Sequence, residues 1–261
     1  MKIFVILLLA IILNSCAEQN KFPAGRWIDL SYEYSSETIY WPTADGFKLD
    51  TVFAGITDKG FFYTANNFCS AEHGGTHIDA PIHFSKGKRT VDQLPVDQLI
   101  GEAIVIDVSE KSLNNRDYQV SSDDFIQWEK MHYKIPENII VFLKTGYGQF
   151  YPDRIKYMGT EERGSEAVAK LHFPGLHPDA AKWLVQNRKI KAIGLDTPSI
   201  DYGQSQLFES HQILFAENIP ALENVANLEQ LPETGAYVLA LPIKIKGGSG
   251  GPCRIVALLP N

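Results

Sequence analysis

Residues 72–84 read EHGGTHIDAPIHF and hold three of the chain's seven histidines together with an aspartate. Whether this stretch is helix or strand decides what kind of fold surrounds it. As a helix it would place His73 and His77 four residues apart on one face, the spacing of zinc-binding helices. Two features oppose that. Gly74 and Gly75 would together cost roughly 2 kcal/mol relative to alanine in a helix interior, and Asp79 would point about 200° around the axis from His77. As an extended chain the same residues converge. His77, Asp79, Pro81 and His83 then share one face, and the Cα atoms of His77 and Asp79 stand roughly 6.6 Å apart, close enough to meet at one ion. His73 would lie about 13 Å from His77 on a straight strand, so the glycines are needed to turn the chain between them. Two imidazoles and a carboxylate on a strand edge make a nitrogen/oxygen site suited to zinc or manganese. Pro81 has no N–H and so ends or edges the strand. That leaves His83 past the ligands but on their side, placed for general acid–base work. The plainer alternative is a polar loop whose histidines satisfy local hydrogen bonds.

On either side of this segment, strand and helix signals interleave. RWIDLSYEY (26–34), FKLDTVFAG (47–55) and FFYTANNFCSAE (61–72) are β-rich. EAIVIDVS (102–109), IIVFLKTG (139–146) and IKAIGLD (190–196) are nearly continuous apolar runs, as in strands covered on both faces. Helices are predicted over DDFIQWEKMH (123–132), where Ser122 precedes acids in the first turn, over HPDAAKWLVQNR (177–188), where Pro178 suits the first helical position, and over QSQLFESHQILFAEN (204–218). GAYVLALPIKI (235–245) and CRIVALL (253–259) read as closing strands. The expectation is one α/β domain over residues 26–261, a mixed β-sheet flanked by helices. IKGGSGGPCR (245–254) lacks both the Gly-Lys-Ser/Thr of a Walker loop and G-x-G-x-x-G, so it reads as a loop where backbone passes close to a neighbour.

With 261 residues, 44% of them apolar, the chain can bury one sizeable core. Its 24 basic and 31 acidic residues, with no Lys/Arg-rich run, argue against a nucleic-acid footprint. MKIFVILLLAIILNSC (1–16) has a basic start and an 11-residue apolar run, too short to span a bilayer, where about 20 residues are needed. It has the length of a signal-peptide core, and Leu13-Asn14-Ser15-Cys16 resembles the lipobox of bacterial lipoproteins. Residues 1–15 are therefore expected to be a lipoprotein signal peptide, with Cys16 lipidated and residues 16–25 forming a tether. Acyl chains on Cys16 would anchor the protein. The absence of Asp after Cys16 implies an exported, periplasm-facing protein on the outer membrane. Cys69 and Cys253 remain; an oxidising compartment would permit a disulfide between them, and buried free thiols are the expected state.

HGGTHIDAPIH (73–83) matches in full the pattern H-x-G-T-H-x-D-x-P-x-H, and so resembles the cyclase-like metal-dependent hydrolases, a family that includes kynurenine formamidases and isatin hydrolases. GLDTPSID (194–201) and ALENVANL (221–228) resemble further family segments, and the similarity runs from about residue 26 onward. This resemblance implies a swivelling-type α/β domain, commonly dimeric, that hydrolyses a C–N bond in an amide. It implies His73, His77 and Asp79 as metal ligands and His83 as the catalytic histidine. His211 and Glu223 have the spacing of the pair that holds a second zinc in the formamidase branch, whereas a single manganese is usual in the isatin hydrolase branch. Without the resemblance, His211 reads as a helix-surface histidine and Glu223 as a solvated acid. Trp41, in YWPTADG, matches a substrate-contacting Trp-Pro position, and FFYTANNF would add aromatic wall or simply core. Asp196 reads as a loop-structuring residue. The leading expectation is opening of a cyclic aromatic amide such as isatin. Deformylation of N-formylkynurenine is the alternative, and a metal- or solute-binding lipoprotein is the reading outside enzymology.

Overall fold

The computed structural model describes residues 24–260. The twelve strands among them are β1 (Gly25–Asp29), β2 (Lys48–Ile56), β3 (Phe62–Cys69), β4 (His77–Asp79), β5 (Ile100–Asp107), β6 (Gln119–Val120), β7 (Ile140–Lys144), β8 (Gly175–Leu176), β9 (Ala192–Leu195), β10 (Ala221–Glu223), β11 (Ala236–Pro242) and β12 (Gly250–Pro260). Helices α1 (Ser109–Asn114), α2 (Ser122–Met131), α3 (Arg154–Met158), α4 (Ser165–Val168), α5 (Pro178–Asn187) and α6 (Glu209–Ala216) fall between them.

Eight strands form one mixed sheet in the order β1-β12-β11-β5-β7-β9-β10-β4, and β4 pairs back onto β12. That last pairing closes the sheet into a barrel. The centre, β5-β7-β9-β10, is parallel, and every pairing made by β12 is antiparallel. The apolar runs explain the layers. Along β5, Ala103 and Val105 join Phe142, Leu222 and Val238 in one core, while Ile104 and Ile106 face a second core with Phe125, Trp128, Leu184 and Phe215 of the helices. Strands buried on both faces need no polar alternation. The expected α/β domain with a mixed sheet is therefore present; its closure was not legible, because it depends on β4 meeting β12 across most of the chain. No helix among the described residues is long and apolar enough to cross a membrane.

Several expectations need correction. The first strand stops at Asp29, and Gly25, expected in the tether, already pairs with Pro260. The cap of α2 is Ser121, not Ser122: its side chain and that of Asp124 form a reciprocal capping box. The third predicted helix is only Glu209–Ala216, because Phe208 takes a left-handed conformation at its start. The β2–β3 hairpin supplies neither core nor pocket wall. It stands in solvent on both faces, with Ile56 67% and Phe62 65% exposed. Of the two cysteines expected to be buried, Cys253 is and Cys69 is exposed at the end of that hairpin; both are free. Cys16 and residues 1–15, expected as a signal peptide, lie outside the described residues.

Candidate active site

The turn before β4 is what gathers the histidines. Gly75 has φ +54°, the left-handed region that disfavours other residues. The ring of Tyr40 lies against Gly74 so closely that a Cβ there would sit 2.1 Å from it. The Tyr34 hydroxyl stands 2.7 and 2.8 Å from the carbonyl oxygens of Gly74 and Thr76 and pins the turn. As the residue types predicted, the chain bends between His73 and His77 and then runs extended to Asp79. Pro81 ends the strand. His83 sits in a single 3₁₀ turn, Pro81–His83, rather than on the continued strand face, yet still faces His73 and Asp79.

Asp79 is the hub. Its Oδ1 lies 2.6 Å from His73 Nδ1 and 3.0 Å from His77 Nε2; its Oδ2 lies 3.4 Å from His211 Nε2 and 3.9 Å from His83 Nε2. Glu223, opposite His77 in the β10–β4 register, puts Oε1 3.1 Å from His211 Nε2 and Oε2 3.4 Å from His77 Nε2. Oε1 also accepts the Ile200 N–H at 2.8 Å. His211 and Glu223 are thus buried members of the cluster, not surface groups; a helix face and a strand end in sequence say nothing of the packing that joins them.

The ring nitrogens show what the cluster is built to hold. His77 Nδ1 lies 2.9 Å from the Gly75 carbonyl, and His211 Nδ1 lies 2.6 Å from Asp201. Each acceptor draws the ring proton to Nδ1 and turns the Nε2 lone pair toward Asp79 and Glu223. His77 Nε2 is buried without a properly directed hydrogen bond. Lone pairs facing carboxylates in a dry site are repulsive unless a positive charge lies between them. The pKa shifts carry the same demand. Burial opposes charge on His77 and His211, yet the Asp79 and Glu223 carboxylates raise both above the ordinary histidine value, and Asp201 adds to them at His211, which lies well above. Burial likewise opposes ionisation of Asp79, but His73 and the hydrogen bonds of its neighbours hold it well below the usual range, while burial and Asp79 push Glu223 up. Among the described residues, His73, Asp79 and His83 form one group able to hold a cation, and His77, Asp79 and Glu223 a second that shares Asp79. This donor set fits a divalent metal.

His83 stands apart in its chemistry. It stacks on His73 at 3.9 Å, and burial together with its histidine neighbours pushes its pKa down to about 4, against the pull of Asp79. It stands exposed at the rim of the cluster. Above it lies a cavity of about 310 Å³ lined by all seven of the predicted side chains. Trp41 forms its wall with Phe208 and Phe84, the rings meeting at 6.1 and 5.2 Å.

Three features were not foreseen. Asp201, in the quoted GLDTPSID, orients His211 and also accepts the Ser210 and His211 backbone N–H groups. Phe84 and Phe208 supply aromatic wall that had been sought in the hairpin. Ser249 of the glycine-rich loop touches His73. Asp196 does structure a loop: it accepts the backbone N–H groups of Thr145, Gly146 and Gly148.

The Cyclase family pattern matches residues 28–202. The chain belongs to that family. An isatin hydrolase of Roseibium aggregatum is 34% identical over 77% of each chain. A kynurenine formamidase of Bacillus thuringiensis is 28% identical over 89% of this chain and 97% of its own. Among solved structures, isatin hydrolase A from Labrenzia aggregata bound to benzyl benzoate superposes with a TM-score of 0.81 at 29% identity, covering 90% of this chain and 94% of that one.

Proposed function

We propose that the protein hydrolyses a C–N bond in a cyclic aromatic amide, with isatin as the leading substrate. The observation that carries this reading is the His83 imidazole held beside a buried cation site, under an aromatic wall. His73, His77 and Asp79 would hold the ion, manganese or zinc, with His211 and Glu223 completing the shell or holding a second one. When bound, a divalent ion lowers the pKa of water from about 15.7 toward 7 and polarises a carbonyl. The chain's own residues do the rest. Trp41, Phe84 and Phe208 hold the flat substrate with its carbonyl toward Asp79 and exclude bulk water. His83 takes a proton from the attacking water and returns it to the ring nitrogen as the C–N bond breaks. Water is consumed, and an amine, a carboxylate and one proton released to solvent result.

A second reading, deformylation of N-formylkynurenine, is supported by the two overlapping groups around Asp79, which would suit two ions. A pure metal or solute binder gives His83 no task. The test is hydrolysis of isatin and N-formylkynurenine side by side, with manganese or zinc. Isatin opening supports the first reading, preferential deformylation under zinc the second, and turnover of neither refutes both.

We propose also that the protein is exported and lipid-anchored through Cys16, which [³H]palmitate labelling of wild type and a Cys16→Ser variant would test. A second copy of the chain is proposed to cover the exposed β2–β3 hairpin. Its bare apolar side chains support this, and light scattering of a Phe62→Asp variant would reveal a shift to monomer.

A further inference from the structure

The glycine-rich loop carries a device aimed at His73. Its Ser249 hydroxyl lies 2.8 Å from His73 Nε2 and 2.6 Å from Glu72 Oε2, and Glu72 Oε2 also accepts the Ser249 backbone N–H at 2.9 Å. The loop is cut to reach there. A Cβ on Gly250 would sit 2.6 Å from both His73 Cε1 and the Ile78 carbonyl oxygen, and one on Gly248 would sit 2.8 Å from Glu72 Oε1. Backbone bonds from Ala80 N–H to the Ser249 carbonyl and from Val91 N–H to the Gly248 carbonyl, at 2.8 and 2.9 Å, hold it against β4.

Proton counting gives this chain a direction. A serine hydroxyl has one hydrogen, and a carboxylate can only accept. Ser249 therefore donates to Glu72, and its oxygen must accept from His73. That places the His73 proton on Nε2 and turns the Nδ1 lone pair toward Asp79 Oδ1, 2.6 Å away. The same contacts could be taken for a Ser-His-Asp nucleophilic triad, but Ser249 has already given its hydrogen to Glu72 and is not activated by His73. His77 and His211 are oriented by a fixed carbonyl and a buried carboxylate. Of these three histidines only His73 is partly exposed, and its orientation rests on two side chains that are themselves partly exposed.

We propose that Ser249 and Glu72 are positioning residues that fix the tautomer and aim of His73, so that it offers Nδ1 to the metal while His77 and His211 offer Nε2. This rests on the metal reading above. The test uses zinc alone, in competition with a chromophoric chelator, on the full chain and on Ser249→Ala, Ser249→Thr, Glu72→Ala and Glu72→Gln. Thermal midpoints in EDTA and two-bond ¹H–¹⁵N histidine spectra accompany it. Ser249→Ala and Glu72→Ala are expected to lower zinc affinity about 10- to 100-fold, the usual effect of losing an outer-shell partner. Ser249→Thr and Glu72→Gln, which keep a hydroxyl and an acceptor oxygen, should restore most of it. The spectrum of the zinc-loaded wild type should show His73 protonated on Nε2. Wild-type affinity in both alanine variants, or a His73 protonated on Nδ1, overturns the proposal and leaves the metal reading intact. A wild type that binds no zinc overturns both. A loss that Thr and Gln do not restore, paralleled by lower midpoints, marks a structural role only and also overturns it.

Discussion

Asp201→Ala would remove a single acceptor from three N–H groups at once: the backbone amides of Ser210 and His211, each at 3.1 Å, and the His211 imidazole at 2.6 Å. All three lie in buried residues. An orphaned buried donor costs about 1–3 kcal/mol, so the three together cost roughly 3–9 kcal/mol, before the loss of the favourable charge at the start of α6. For a chain of this size that corresponds to a fall in melting temperature of at least about 6 °C. Asp201→Asn keeps one oxygen and should fall about half as far. Both variants free His211 to change tautomer, so zinc affinity should drop about 10- to 100-fold. The assay is thermal denaturation in EDTA, followed by chelator competition for zinc. An Asp201→Ala protein that melts with the wild type and binds zinc equally well would refute the account of His211 as a ligand held by its carboxylate.

His83→Ala should cut isatin turnover by roughly 10²- to 10⁴-fold, the worth of a positioned proton carrier, with metal content by elemental analysis unchanged. Trp41→Ala removes one wall of the cavity and should raise KM for an aromatic substrate roughly 10-fold, about 1.4 kcal/mol, leaving zinc affinity alone. Gly250→Ala drives a Cβ into His73 and the Ile78 carbonyl and should destabilise by about 1–3 kcal/mol in urea titration. Asp124 binds Lys111, Tyr118 and the Ser121 cap, and, although burial opposes it, these bonds lower its pKa. A lowered folded pKa means its stabilisation is present above the unfolded value, about 3.9, and is lost as pH falls through the folded one. The stability gap between wild type and Asp124→Asn should thus be full at neutral pH and close in acid.

The sequence was most informative where chemistry and backbone made the same demand. HGGTHIDAPIH needs both its glycines for the turn and its proline for the stop, so the strand, the bend and the facing of His83 could be read locally. The apolar runs of β5, β7 and β9 showed burial on two faces directly. What stayed hidden depends on contacts far along the chain. His211 lies on a helix of mixed polarity and becomes a buried site residue only because α6 packs against α5 and the Pro81–His83 turn. The hairpin looked like core because Phe61, Phe62, Tyr63 and Phe68 are strand-forming aromatics, and composition does not distinguish aromatics that face protein from those that face water. Ser249 gave no signal at all: its meaning comes from His73, 176 positions away.

One strand, β12, pairs with β1, β11 and β4, and its leading residues carry the loop that reaches His73. The histidine segment and the strand that completes its surroundings therefore stand far apart in the chain. Contacts of such long range form late and slowly, so the side chains around Asp79 come together only when β12 closes the barrel, and a change that loosens that one strand would scatter them all.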